Sequence, residues 1–306
     1  MKIVFMGTPD FAVASLEALA KEHKIVGVFT QPDKPQGRKM VLTPSPVKVF
    51  AEQHGLKVFQ PTSVKTDDSY ELLCSLKPEL IAVVAYGKIL PERVLVLPRY
   101  GCVNVHASLL PRHRGASPIQ WAIYCGDKET GVATQLMDVG IDTGDILLSQ
   151  KTEILPDDNF ETLHDRLAEI GAGLLVRSVE GLEKNTIVPQ KQPEEGVSYA
   201  PIIKKEMGLI DFNKSASELD CHIRAFIPWP SAYFFMNGKR VKILKATVGN
   251  GTKAEIGTVV DIKRGIEVAC RDGSSLVLEE LQPDGKGRMT AKDLINGYQI
   301  KVGTKL

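Results

Sequence analysis

Residues 2–6, Leu80–Val84, Gly101–Val105 and Val132–Met137 read as apolar almost throughout, with Ile25–Phe29 close to the same pattern. A strand with one wet face alternates apolar and polar residues, whereas a strand covered on both faces does not. Between these runs lie segments with helical spacing. Pro9 to about Lys21 sets Phe11, Leu16, Leu19 and Ala20 on one side. Pro46–His54 reads as a helix with Pro in its first turn. Phe160 to about Leu182 is a longer helical pattern. Buried strands alternating with helices predict an α/β fold, a Rossmann-like doubly wound, mostly parallel sheet covered on both sides.

After residue 183 the character changes. Val188–Gly196 is polar and rich in Pro and Gly, as linkers are. Ala216–Phe226 then reads as a helix, followed by five short strands: Tyr233–Met236, Val241–Ala246, Gly257–Ile262, Ile266–Ala269 and Ser275–Leu281. Turn signals separate them, among them Asn237-Gly238 and Asp272-Gly273. This predicts a small OB-like β-barrel. The expected division is a catalytic domain over residues 1–189, a linker over 190–206 and a barrel over 207–306.

With 43% hydrophobic and 25% charged residues, the chain reads as a soluble globular protein. Its net charge of +1 makes no bulk case for nucleic acid. Residues 207–306 hold 15 Lys and Arg against 11 Asp and Glu, a mildly basic half compatible with phosphate contacts. The five cysteines are odd in number and lack any Cys-x-x-Cys spacing, so buried thiols in a reducing compartment, the cytoplasm, are expected. No apolar run approaches the ~18 residues of a membrane span, and the first residues lack the make-up of a signal peptide.

Chemistry concentrates in Asn104-Val-His106 and, further on, Asp142. Asn104 and His106 end a predicted core strand and are two apart, so they share a face. The carboxyl edge of a parallel sheet is where doubly wound folds keep their sites. An amide can donate to a developing oxyanion, an imidazole can shuttle a proton near neutral pH, and a carboxylate can orient the imidazole. These groups suit acyl transfer without an acylated residue. Competing chemistries fail on residues. The loop after the first strand has Pro9 and Ala12 where Gly-x-Gly-x-x-Gly needs glycine, which disfavours a nucleotide-dependent oxidoreductase. The run from Asp138 has Gly140 at its third position and Ser149 at its twelfth, so it is no calcium loop. The histidines lack metal-ligand spacing, and no metal is expected. A purely RNA-binding role would leave Asn104, His106 and Asp142 without a purpose.

At these residues the chain resembles the formyltetrahydrofolate-dependent formyltransferases. The likeness runs through Gly7-Thr-Pro-Asp-Phe-Ala12, Thr30–Asp33, Gly37-Arg38, Thr43–Lys48, Ala85-Tyr-Gly-Lys-Ile-Leu-Pro91, the stretch from Asn104 to Gly115, Met137–Asp145, Ile223–Pro230 and Leu281-Gln-Pro283. It implies a formyltransferase fold with Asn104, His106 and Asp142 as catalytic groups. The implied donor is 10-formyltetrahydrofolate, its pterin held by Tyr86, Gly87, Ile89 and Leu90 facing Ser108, Leu109, Leu110 and Pro111. The second half resembles the branch that acts on charged initiator tRNA. In that branch the loop Gln31–Lys48 reaches the acceptor end, with Arg38 matching the motif arginine and Lys39 beside it. Where other members continue with basic residues, this chain has Met40-Val41. Lys239, Arg240, Lys242 and Lys245 are the expected barrel contacts to tRNA. The expectation is therefore formylation of the methionine α-amino group on initiator methionyl-tRNA by a monomer. The alternative is a folate-dependent formyltransferase acting on a small amine such as an amino-sugar nucleotide.

Overall fold

The computed structural model describes residues 1–37 and 40–306. In chain order the elements are β1 (Lys2–Gly7), α1 (Phe11–Glu22), β2 (Lys24–Phe29), β3 (Lys34–Gln36), β4 (Val41–Thr43), α2 (Pro46–Gln53), β5 (Val58–Phe59), α3 (Asp67–Leu76), β6 (Leu80–Val84), α4 (Glu92–Leu95), β7 (Cys102–His106) and α5 (Pro118–Tyr124). There follow β8 (Glu129–Leu136), β9 (Asp145–Glu153), α6 (Phe160–Glu183), α7 (Ala216–Ala225), β10 (Tyr233–Met236), β11 (Lys239–Val248), β12 (Val259–Asp261), β13 (Ile266–Ala269), β14 (Ser275–Pro283), β15 (Met289–Thr290) and α8 (Ala291–Tyr298). The chain packs as two units. One comprises Met1–Pro118, Glu129–Glu153 and His164–Pro201; the other comprises Ile119–Lys128, Ile154–Leu163 and Ile202–Leu306.

The first unit holds a seven-stranded sheet in the order β5-β2-β1-β6-β7-β8-β9. β5, β2, β1, β6 and β7 are mutually parallel. The chain builds outward from β1 on one side, then crosses back to β6 on the other, which sets the switch point of a doubly wound sheet between β1 and β6. Gly7 ends β1 where a Cβ would lie 2.7 Å from the Phe5 ring and 2.8 Å from the Ala12 Cβ, so glycine serves a tight strand-to-helix turn. α2 starts where Ser45 Oγ accepts from the Lys48 N–H, with Pro46 in the first turn.

β8 lies antiparallel to β7, and β9, a strand without an apolar run of its own, pairs antiparallel with β8. Six consecutive residues of β8 are buried. Burial on both faces removes the apolar–polar alternation in either direction of travel, so the pattern cannot distinguish them. The hairpin matters for the site, because it sets Gln135 opposite Asn104 and Ala133 opposite His106. The first part of the stretch read as a linker is backbone-paired with this unit. Ile146 N–H donates to Gln190 O at 2.7 Å, and Ala200 N–H donates to Arg114 O at 2.7 Å.

The second unit is built on an antiparallel sheet, β10-β11-β14-β13-β12, with β15 paired to β14. The ladders form an open path, with no pairing of β10 to β12 among the described residues. Leu219 and Ile223 of α7, Phe234, Val241, Ile243, Leu276, Leu278 and Leu294 share one core. α7 begins in a capping box: Ser215 Oγ accepts from Glu218 N–H while Glu218 accepts from Ser215 N–H.

His222 of α7 is 3% exposed and packs against Tyr124 and Phe226, with ring centroids 5.3 and 4.8 Å away. Burial, aided by nearby Lys214, pushes its imidazole down to about 4 from 6.5. The unfolded ring takes up a proton near 6.5 that the folded ring refuses until about 4, so stability is full above 6.5 and falls as pH drops through that window. The shift corresponds to about 3 kcal/mol. Urea titrations between pH 7 and 4 are expected to show this slope, and His222→Phe to flatten it; an unaltered slope in the variant assigns the acid sensitivity to other groups.

Candidate active site

Asn104 and His106 lie at the carboxyl end of β7, on the side of the sheet order where β8 begins the antiparallel hairpin. His106 is 6% exposed. Its Nε2 lies 2.9 Å from His113 O and its Nδ1 lies 3.5 Å from Asp142 Oδ1. Both ring nitrogens therefore face oxygen acceptors. A neutral ring donates to one of them and an imidazolium to both. The Asn104 carboxamide is half-buried and has no hydrogen-bond partner among the described residues, which leaves its N–H groups available to a bound oxygen.

Asp142 adopts a left-handed backbone with φ of +53°, and its carboxylate is 16% exposed. Gly115 N–H donates to Oδ2 at 2.8 Å and Gln135 Nε2 donates to Oδ1 at 2.9 Å. Gln135 is 1% exposed, and its own Oε1 is buried without a partner among the described residues. Two donors thus converge on one carboxylate, whose Oδ1 also faces the His106 ring. Its lone pairs are held in place by fixed groups rather than by mobile solvent.

The backbone around this carboxylate is tightly constrained. Gly115 has φ of +121°, and a Cβ there would lie 2.8 Å from Ala200 O. At Gly144 a Cβ would lie 2.0 Å from Leu136 O. Gly115→Ala is expected to destabilise the protein by about 1–3 kcal/mol through backbone strain. It should also lower turnover, because the N–H on Asp142 moves with that backbone. Denaturant unfolding and single-turnover rates check both; an alanine variant of unchanged stability and rate would mean that the loop relaxes freely.

The residues proposed for the pterin are placed less uniformly. Tyr86 and Leu90 are buried in the core beside β6, 1% and 4% exposed. Burial pushes the Tyr86 phenol up to about 12, and its hydroxyl is buried without a partner among the described residues. The Tyr86 carbonyl accepts from Gln31 Nε2 at 2.9 Å. Gly87 is left-handed at φ +74°, and a Cβ there would meet Gln31. Ile89 is exposed. Ser108 is fully buried and donates to Arg112 O at 2.6 Å; Leu110 and Pro111 are buried and joined by a cis peptide, and Leu109 is half-buried.

A cavity of about 270 Å³ opens next to this region, lined by Glu92, Leu95, Val96, Gly101, Leu136, Met137, Asp138 and Val139. None of these was singled out in the sequence for the folate. Val96 and Val139 of this lining are exposed apolar residues. Among the described residues no group of three His, Cys, Asp or Glu could hold a metal ion.

Arg38 and Lys39 lie outside the described residues. Of the four basic residues proposed on β11, two are already paired. Arg240 donates to Asp284 Oδ1 at 3.1 Å and Lys245 Nζ lies 2.8 Å from Glu279 Oε2, a hydrogen bond that holds the Lys245 ammonium above its ordinary value. Lys239 and Lys242 have no ion pair among the described residues.

The chain belongs to the formyl transferase family: residues 1–179 match the formyl transferase model and residues 202–299 match the formyl transferase C-terminal domain model. Methionyl-tRNA formyltransferase of Citrifermentans bemidjiense is 48% identical over 305 residues, which is 99% of this chain and 95% of that protein. Methionyl-tRNA formyltransferase of Caldanaerobacter subterraneus subsp. tengcongensis is 48% identical over 312 residues, the full length of both. Among solved structures, an N-formyltransferase from Helicobacter canadensis, crystallised with folinic acid and dTDP-3-aminofucose, superposes with a TM-score of 0.70 at 22% identity, covering 91% of this chain and 98% of that one. Methionyl-tRNA formyltransferase from Clostridium thermocellum superposes with a TM-score of 0.56 at 20% identity, covering 82% and 95%. At those identities the two structures speak to the fold.

Proposed function

We propose that this chain transfers the formyl group of 10-formyltetrahydrofolate to the α-amino group of methionine esterified to initiator tRNA, supporting translation initiation. The observation that carries the chemistry is the half-buried Asn104 carboxamide two residues from a His106 that faces a fixed Asp142. The acceptor follows from the full-length relatives at 48% identity. The amine attacks the formyl carbon as a neutral group and gives a tetrahedral intermediate. The Asn104 N–H groups and the His106 imidazole share one face of β7, and their stabilisation of the intermediate's oxyanion is part of this proposal. With its Nε2 released from the His113 carbonyl, His106 takes a proton from the attacking nitrogen and delivers it to the departing N10. The C–N10 bond breaks, and the formyl group remains on the methionine nitrogen. Asp142 orients the ring throughout, and no side chain is acylated.

The cavity at Leu95, Val96 and Met137–Val139 supports a pterin site, with apolar walls and backbone groups for its polar edge. Leu136 pairs with Val103, one residue before Asn104, which links this cavity to the catalytic strand. The proposed catalytic groups come from one unit of one chain, which supports a monomer. The free cysteines support a reducing cytoplasm, and no described helix is long and apolar enough to cross a membrane. For tRNA, the proposed contacts are Arg38 and Lys39 in the loop and Lys239 and Lys242 on β11. Arg240 and Lys245 would contact phosphate only by sharing or leaving Asp284 and Glu279.

The test is formyl transfer from labelled donor to charged initiator tRNA, charged elongator methionine tRNA, free methionine and an amino-sugar nucleotide. Transfer confined to the initiator species is expected. Preferential transfer to the amino sugar would replace the tRNA reading with the small-amine one.

A further inference from the structure

Beyond the proposed chemical groups, one side chain ties together the loops that converge on His106. Gln192 lies in the polar stretch after α6, fifty residues past Asp142, where composition suggests only a connector. Its Nε2 donates to Asp142 O at 2.9 Å and to Gly144 O at 2.7 Å. Its Oε1 accepts from Arg114 Nε at 3.1 Å and Nη2 at 2.7 Å. A carboxamide carries two N–H donors and two acceptor lone pairs. Here both donors meet carbonyls and the oxygen meets one guanidinium, so the amide orientation is specified at both ends.

What Gln192 grips is the strained part of the site. Asp142 is left-handed without being glycine, and such residues persist only where their surroundings determine them. Gly144 fixes one end of the turn against Leu136 O, and Gln192 fixes the other at the Asp142 carbonyl. Through Arg114 the same amide reaches the loop that supplies the His113 carbonyl to His106 and the Gly115 N–H to Asp142. That loop is held in turn by Ser198, whose backbone O accepts from Arg114 N–H and whose Oγ accepts from His113 N–H.

We infer that Gln192 is a positioning residue of the formyl-transfer site: it holds the Asp142 backbone so that the carboxylate meets His106 and Gly115. This rests on the proposed roles of His106 and Asp142. Glutamate at the same position would fill the same space and keep the Arg114 contact. It would place a carboxylate oxygen against the Asp142 and Gly144 carbonyls in place of two donors.

The experiment compares the full chain with Gln192→Glu, Asp142→Asn and the double variant, assayed on charged initiator tRNA. Gln192→Glu is expected to lower kcat by about 10–100-fold, since small misplacement of a catalytic group costs that much. KM for folate and tRNA should stay within about twofold, because Gln192 touches neither in this reading. The pH–rate profile should move in the same direction as in Asp142→Asn, and the double variant should be no slower than Asp142→Asn alone. A wild-type kcat and profile in Gln192→Glu would overturn the inference, and so would fully multiplicative losses in the double variant. Should Gln192→Glu not fold, Gln192→Met keeps the length without charge and is read by the same criteria. The imidazole nitrogen resonances of His106 report the same displacement without turnover. A wild type inactive on every acceptor would therefore defeat the formyl-transfer reading, while those resonances still decide whether Gln192 positions Asp142.

Discussion

His106→Ala is expected to reduce formyl transfer by on the order of a thousandfold or more while leaving tRNA binding nearly unchanged. Proton transfer by a positioned imidazole contributes roughly 10²–10⁴-fold and a single oxyanion donor roughly 10²–10³-fold, and His106 serves both. The geometry explains why no neighbour substitutes. His113, seven residues on, brings its backbone carbonyl to the His106 ring, and the Asp142 carboxylate is already engaged by Gly115 and Gln135. Asn104→Ala should cost about a hundredfold, because only the oxyanion contact is lost. Single-turnover rates with prebound charged tRNA isolate the chemical step. A His106→Ala enzyme within tenfold of wild type would remove the imidazole from the mechanism, and tRNA binding lost alongside turnover would point to misfolding.

Arg38→Ala is expected to lower catalytic efficiency on charged initiator tRNA by about 10–100-fold, with folate binding unchanged. The flanks of its loop show what would aim it. β3 and β4 form a short hairpin, with Lys34 opposite Thr43 and Gln36 opposite Val41. The base is pinned: Lys48 Nζ lies 2.7 Å from Asp33 Oδ2, and Gln60 Nε2 donates to Asp33 Oδ1 at 2.7 Å and to Gln31 O at 2.9 Å. Met40, Val41 and Leu42, which follow in the sequence, are exposed apolar residues. Opening an acceptor end costs a few kcal/mol for a strong pair and less for a weak one. A cation on phosphate and apolar side chains against an unstacked base are ways to offset that cost. The measurement is the ratio of efficiencies on weak-paired and strong-paired acceptor stems, in wild type and in Arg38→Ala. If the variant keeps both the wild-type rate and the wild-type ratio, the loop is only a connector.

Much of this protein is written in local patterns. Buried strands and helical spacing reveal a covered sheet because periodicity reports which faces are dry, and β6, β7, β10 and α7 appear within a residue or two of their expected places. The pair Asn104 and His106 is legible for the same reason: a spacing of two along a strand puts them on one face, at the edge where such sheets carry their sites. Asp142 follows from resemblance rather than from spacing, since nothing local says that it meets His106.

What periodicity cannot carry is decided by contacts between distant residues. The antiparallel pairing of β8 with β7 is a contact between distant residues that its buried run does not encode. Arg240 and Lys245 look like free cations in the sequence, yet meet Asp284 and Glu279 through turns and cross-strand neighbours. Gln192 sits in a stretch whose composition says connector, and becomes a clamp on Asp142 only because the folded backbone returns past the site. Hydrogen bonds to backbone carbonyls leave no residue pattern behind, since every residue has a carbonyl. Most core strands and the proposed catalytic pair were therefore legible in the sequence alone, while the geometry that holds Asp142 against His106 was decided by tertiary structure.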